Sequence, residues 1–138
     1  MSFPNSDLEV FMTLRGHIEQ EKGSIAVFYN GEPFVVPTDK PSFVVTYTPA
    51  QSTRYAWDDD CPVDRRGILF MNAHIPVSLQ YTATQQLGFC AEASRIFPRG
   101  KIGRIEIPDG AELSGSGYSD QGGVFMYYPM QVRWRCFA

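Results

Sequence analysis

The 138-residue sequence is poor in the residues that bind metals or form covalent cross-links. It has three cysteines, Cys61, Cys90 and Cys136, and two histidines, His17 and His74. The cysteines are odd in number, widely spaced and form no C-x-x-C pair, which argues against a disulfide framework and against a zinc site. We therefore expect reduced cysteines, no metal and no cofactor.

Long apolar runs and excess positive charge are also missing. The longest clear apolar run, 68–71, is far shorter than the roughly 18 residues that cross a bilayer, so a transmembrane helix is excluded. The first seven residues lack the basic flank and apolar stretch of a secretory signal, so we expect a protein made in the cytoplasm. Twelve Lys and Arg against 15 Asp and Glu give a net charge of −3, which disfavours sequence-specific DNA binding.

What remains is the composition of one soluble domain. Hydrophobic residues make up 43% and charged residues 20% of the chain, and the length suits a single core over residues 1–138. A capping box at Ser6 and Glu9 predicts a helix that ends at Gly23. Its apolar face is predicted to consist of Leu8, Phe11, Met12, Leu14 and Ile18.

A second helix is predicted over 82–97, and most of the other regular segments have the period of strands. The helix has an apolar stripe of Ala83, Leu87, Cys90, Ala91, Ser94 and Phe97. Predicted strands cover 25–29, 34–36, 42–48, 67–75, 101–107 and 124–136, with a hairpin turn at Asn30-Gly31 and a central position for 67–75. The order of elements predicts an α+β fold, with an antiparallel or mixed sheet of about four to six strands packed against two helices.

Two polar stretches are expected to be long loops. Residues 49–66 read as a long loop or an extended hairpin arm, and 108–123 as a Gly- and Ser-rich surface loop. The acidic residues Asp58, Asp59, Asp60 and Asp64 lack the alternating spacing of a calcium loop, so we expect a solvated loop there. Gly115-Ser116-Gly117 lacks the lysine and the following helix of a phosphate-binding turn.

Catalytic groups are not apparent in the sequence. His74 alternates with apolar residues on the central strand, which favours a structural histidine. Cys90 and Cys136 fall on apolar faces, where burial raises the pKa of a thiol and does not activate it. Because no nucleophile, base and orienting group come together, we expect no enzyme activity.

Arg133 and Arg135 are the charged residues with the clearest placement. They lie two residues apart on the last strand and therefore project from the same side. One interpretation is a solvent face kept soluble by charge. The other is a contact between subunits, in which the guanidiniums meet acidic residues such as Asp58–Asp60, or Asp109 and Glu112, of another copy.

The order of these segments resembles a known family. The stretch 66–76, Arg-Gly-Ile-Leu-Phe-Met-Asn-Ala-His-Ile-Pro, precedes a helix ending in Ile-Phe-Pro-Arg-Gly, and a short basic strand and a final strand, 130–137, follow. With the start Met-Ser-Phe-Pro, an N-terminal helix and a hairpin, this pattern is similar to that of the small tail terminator (tail completion) proteins of long-tailed bacteriophages. The similarity covers most of the chain and rests on the order of elements.

The resemblance implies a structural virion protein. In that family a ring, usually a hexamer, caps the tail tube, stops its polymerisation and offers a surface to the head-side connector. The implied partners are other copies of the chain, the tail tube protein and the head-tail connector protein. DNA passes through the ring without specific binding. The implied location is the tail or neck of the virion, assembled in the host cytoplasm.

Two other functions stay open from the sequence. A head-tail connector or stopper protein of the neck shares the small size, the α+β architecture and the ring symmetry. A small hydrolase would have to rely on His74 and Asp64. The residues we expect to contact a neighbouring copy or the tube are Asp58, Asp59, Asp60, Arg133 and Arg135.

Overall fold

The computed structural model describes residues 7–48, 51–54, 63–120 and 122–137. Within these ranges the chain forms two α-helices and ten strands of one mixed sheet. The helices are α1 (Asp7–Glu21) and α2 (Ala83–Ile96). The strands are β1 (Ala26–Tyr29), β2 (Ser42–Tyr47), β3 (Gln51–Arg54), β4 (Val63–Pro76), β5 (Gly100–Ile102), β6 (Ile105–Ile107), β7 (Ala111–Leu113), β8 (Tyr118–Ser119), β9 (Phe125–Tyr128) and β10 (Met130–Phe137).

The predicted α+β class is confirmed, with more strands than expected. The additional strands are short and arise inside segments predicted as one element. The segment 101–107 forms β5 and β6 around a tight turn at Gly103, and the loop 108–123 contains β7 and β8. The predicted strand 124–136 is divided at Pro129, whose nitrogen has no hydrogen to donate to a ladder.

β4 is the centre of the sheet, as predicted for 67–75. The strand order is β1-β2-β4-β10-β6-β5. β2 and β3 pair antiparallel with successive parts of β4 along one side, and β9 and β10 do so along the other. The 14 residues of β4 therefore connect four neighbouring strands.

The predicted hairpin at Asn30-Gly31 is wrong. A turn does form there, because the amide of Glu32 donates to the carbonyl of Tyr29 at 3.1 Å. However, β1 and β2 are parallel, and the segment 34–36 is not a strand. Prolines at 33 and 37 cannot donate to a ladder, and the chain crosses over to β2 with Phe34 stacked on Phe28, their ring centroids 5.3 Å apart.

Both helices pack on one face of the sheet, which we call the inner face. From α1, Val10, Leu14 and Ile18 are buried. This corrects the predicted stripe, since Leu8 and Met12 are 69% and 55% exposed. Residues two positions apart on a helix point about 200° apart, so Leu8 and Met12 face away from the sheet.

The predicted stripe of α2 is also right only in part: Cys90 and Phe97 are buried, whereas four of its members are exposed, Ala83, Leu87, Ala91 and Ser94. The helix buries Cys90, Ala93 and Ile96, while Leu87 is 48% exposed. Its N-terminus is fixed by a capping box, in which Thr82 Oγ1 accepts from the amide of Gln85 at 3.2 Å and Gln85 Oε1 accepts from the amide of Thr82 at 2.9 Å. The sheet side of the core consists of alternate residues, Phe43, Val45, Leu69, Met71, Ala73, Ile75, Met130, Val132, Trp134 and Cys136.

The segment 49–66 forms a hairpin arm, the second of the two interpretations. β3 and β4 pair from Gln51–Arg66 to Arg54–Val63. Residues 55–62, with Asp58, Asp59, Asp60 and Cys61, lie outside the described residues, and so does the predicted cap Ser6.

Candidate interaction surface

The outer face of the sheet, opposite the two helices, holds the candidate surface. Strand alternation places Ile68, Phe70 and His74 of β4 on this face, together with Arg133 and Arg135 of β10. In the ranges described above, no α-helix packs over these side chains. The side chains of Ile68 and Phe70 are nevertheless partly buried. Such a half-apolar open face differs from the polar outer face usual for an antiparallel sheet.

A groove of about 570 Å³ runs across this face. We call it the arginine groove and define it by Arg66, Arg133 and Arg135 on the β4 and β10 side and by Glu106 and Asp109 on the β6 side. The lining residues are Thr48, Arg66, Gly67, Ile68, Glu106, Pro108, Asp109, Arg133, Trp134 and Arg135. The groove therefore has a basic side, an acidic side and apolar atoms between them.

A buried carboxylate supports the basic side of the groove. The side chain of Asp64 is only 2% exposed. Its oxygens accept from Arg135 Nε at 3.0 Å and Nη2 at 3.1 Å, and from Arg66 Nε at 3.0 Å. The prediction of a solvated loop at Asp64 is wrong, because β4 begins at Val63 and alternation turns Asp64 and Arg66 toward Arg135.

The structure gives Arg133 and Arg135 different roles. Arg135 is 34% exposed and binds Asp64 within the same chain. Arg133 is 56% exposed, and its Nε lies 3.9 Å from Glu112 Oε1, too far for a hydrogen bond. Of the two predicted contact residues, Arg133 thus presents its guanidinium to the outside, and Arg135 holds the buried carboxylate.

An aromatic patch, defined by His74, Tyr118, Phe125 and Tyr127, lies at the other end of β4. The His74 ring makes edge contacts with Tyr127 and Phe125, at centroid distances of 4.7 and 6.0 Å. Tyr118 packs on Tyr127 at 5.4 Å and is 57% exposed. These rings extend the open outer face beyond the groove.

His74 makes the stability of this patch depend on pH. Burial lowers the pKa of His74 below its ordinary value of 6.5, because the charged imidazolium is poorly solvated between the rings. The unfolded state then binds more protons at mildly acidic pH, so the free energy of unfolding should fall as the pH falls through 6.5 toward the lowered pKa.

We expect His74→Gln to flatten this part of the pH profile. Urea unfolding measured at several values between neutral and mildly acidic pH tests it. A variant profile with the same slope as the parent would show that other groups cause the dependence.

The structure does not bring together the two side chains on which a hydrolase would rely. His74 and Asp64 are both on β4, ten residues apart, a separation of about 33 Å along a strand. The thiols of Cys90 and Cys136 are buried, and burial raises the pKa of Cys90 to about 11 and also raises that of Cys136, as predicted. Among the described residues, no group of three or more His, Cys, Asp or Glu side chains is placed to hold a metal ion.

Comparison with known proteins identifies the fold alone. No family model and no curated protein matches the chain. Among solved structures, 21 chains match. One of them, a protein whose name states no activity or partner, superposes with a TM-score of 0.63 at 16% sequence identity, over 91% of this chain and 94% of its own. None of the helices in the described ranges is long and apolar enough to cross a membrane.

Proposed function

We propose that the protein is a structural component of a bacteriophage tail that forms a ring, usually of six copies in the family it resembles, and caps the tail tube. The observation that supports this most is the open outer face, which combines partly buried apolar side chains with a charged groove and an aromatic patch. Surfaces that mix aromatic residues and arginine are typical of protein interfaces. The sequence resemblance supplies the kind of assembly.

A ring requires that one patch of a subunit contact a different patch of the next subunit. The fold offers separate surfaces for this purpose. The outer face lies opposite the helices, and the β3–β4 arm extends from one end of β4. β1 and β5 are the outermost strands in the sheet order of the described residues. The remaining surfaces are then available to the tube protein below the ring and the connector protein above it.

The ring is expected to pass DNA and not to bind it. Each subunit has a net charge of −3, so the ring as a whole is anionic. An anionic wall makes few phosphate contacts. A ring in this role lies in the tail or neck of the virion. We expect it to work without a cofactor.

The decisive test is an experiment on tube length. Purified tube protein from the same phage is polymerised with and without this protein, and the tubes are imaged by negative-stain electron microscopy. We expect rings at tube ends and an arrest of elongation, and overlong tails from phage that lack the gene. Tubes that elongate equally in its presence, with no ring at their ends, would falsify the proposal.

The same images distinguish the stopper alternative. A stopper or connector of the neck would bind on the portal side and leave tube length unchanged. Native mass spectrometry of the protein with short tubes then gives the number of copies per tube end.

A further inference from the structure

We propose that the arginine groove binds a short acidic segment from a second copy of this chain, the segment that contains Asp58, Asp59 and Asp60. This inference rests on the proposed ring and names the contact that closes it. The groove and the segment are different parts of one chain. A contact between the groove of one copy and the segment of the next is therefore a heterologous interface, the kind that a ring needs.

The basic side of the groove fits carboxylates. Arg66 and Arg133 are 62% and 56% exposed, and both guanidiniums lie on the outer face. Arg66 is oriented by Asp64, to which its Nε and Nη2 both point, at 3.0 and 2.9 Å. Guanidinium groups bind carboxylates in a bidentate manner, and an arginine held in place loses less entropy when it does so.

The acidic side of the groove selects the length of the ligand. Glu106 and Asp109 lie on the β6 side, so the groove repels a polyanion that fills it from end to end. A nucleic acid carries continuous negative charge and is disfavoured for that reason. A run of three carboxylates can meet the two exposed arginines and stay clear of the acidic side.

The sequence around the acidic run complements the rest of the groove. Tyr55 and Trp57 precede Asp58, and the groove exposes apolar atoms of Ile68 and Pro108. Aromatic side chains provide much of the contact area in protein interfaces. The eight residues 55–62 join Arg54 and Val63, which pair across the arm. Half of that length spans at most about 13 Å when fully extended, which sets the distance within which the groove of the second copy must lie.

Peptide binding tests the groove independently of assembly. The probe is a fluorescein-labelled peptide, Tyr-Ala-Trp-Asp-Asp-Asp, and its control has the three Asp replaced by Asn. By anisotropy at low salt, the acidic peptide should bind the intact protein, and Arg133→Glu should weaken it at least about tenfold. Lys40→Glu, an equal charge change at an exposed site outside the groove lining, should leave binding unchanged. Equal affinity for both peptides, or no effect of Arg133→Glu, overturns the proposal.

Charge reversal in the ring tests the origin of the segment. Arg133→Glu and the triple variant Asp58→Lys, Asp59→Lys, Asp60→Lys should each reduce ring formation at tube ends. Their combination in one chain should restore it in part, because the glutamate introduced at position 133 attracts the lysines while Arg66 still repels them. Rings that form equally well in every variant show that the groove has no part in the contact. Rings lost in the triple variant and not restored by the combination show that the segment binds elsewhere, which also overturns the proposal.

Failure of the groove can be distinguished from failure of the proposed function. If Arg133→Glu leaves rings intact and tube arrest normal, the contact is wrong and the terminator function stands. If the parent protein forms no ring with tubes, the function fails, and with it the second-copy origin of the ligand. In a third outcome the protein stays monomeric and its own acidic segment occupies its own groove. The triple Lys variant would then bind the peptide more tightly than the parent does. This result also excludes a second copy as the source of the segment.

Discussion

Gly67→Ala should destabilise the protein by about 3 kcal/mol, although it adds a single methyl group. Gly67 pairs with Trp134 across β4 and β10. A Cβ at position 67 would lie 2.5 Å from Trp134 Cζ2 and 2.7 Å from Cε2. Trp134 is 1% exposed and stacks on Tyr47 at 6.1 Å, so a shift of the indole would disturb the packing of the core. The measurement is the urea unfolding midpoint with an unchanged m-value.

The matched control is Gly88→Ala on α2. A Cβ at Gly88 meets nothing within 4 Å, and the residue is exposed in a helix interior. Alanine there should stabilise the protein by about 0.5–1 kcal/mol. In a Trp134→Phe background, where the ring is smaller, Gly67→Ala should cost less than in the parent. A loss at Gly67 no larger than about 0.5 kcal/mol would contradict the steric account.

Arg135→Met should lower the free energy of unfolding by about 2–3 kcal/mol. The substitution keeps most of the apolar stem and removes both hydrogen bonds from Arg135 to Asp64. The carboxylate of Asp64 stays buried, and Arg66, which also binds it, is 62% exposed. A buried charge that loses a partner costs more than the pair contributed.

Arg133→Met is the control, because it lies on the same strand and face with only a 3.9 Å ion pair to Glu112. Its expected change is below about 0.5 kcal/mol. Replacing both partners, with Asp64→Leu in the Arg135→Met chain, should recover part of the loss, since no buried carboxylate remains. Equal effects of the two single substitutions would show that Arg135 is no more engaged than Arg133.

The period of the last strand predicted the inner face well. Alternation predicted one apolar face for this segment, and every member is buried except Met126, which is partly buried: Met126, Tyr128, Met130, Val132, Trp134 and Cys136. On a half-buried strand every second side chain is apolar, so the alternation itself indicates which side chains face the core. The centre of the sheet was equally clear, because 67–75 has apolar residues on both faces.

The helix faces were predicted only in part, for a physical reason. Leu14 and Ile18 of the first helix and Cys90 of the second are buried as predicted, whereas Leu8 and Met12 are exposed. In α1, Leu8 and Met12 share helical spacing with each other, and so do Val10, Leu14 and Ile18. Both sets form a stripe, and periodicity cannot decide which of them faces a sheet. The exposed apolar side chains of α1 were therefore counted as core.

The candidate site was half visible in the sequence. Arg133 and Arg135 were placed on one face correctly, but Asp64 was assigned to a polar loop because acidic residues precede it. The pattern Asp64-x-Arg66 contained the missing information, since alternate residues of an extended strand share a face. Pairing of Arg135 with Arg66 depends on the register of β10 with β4, which no local pattern specifies.

The arrangement around β4 also has a consequence for synthesis on the ribosome. β4 reaches its full set of neighbours only when β10, more than fifty residues later in the chain, pairs with 64–70. Until residue 137 has emerged from the exit tunnel, one side of the longest strand in the described sheet remains without the partner whose Trp134 packs on Gly67. Native packing is therefore a late event during translation, and the nascent chain must avoid aggregation through that interval.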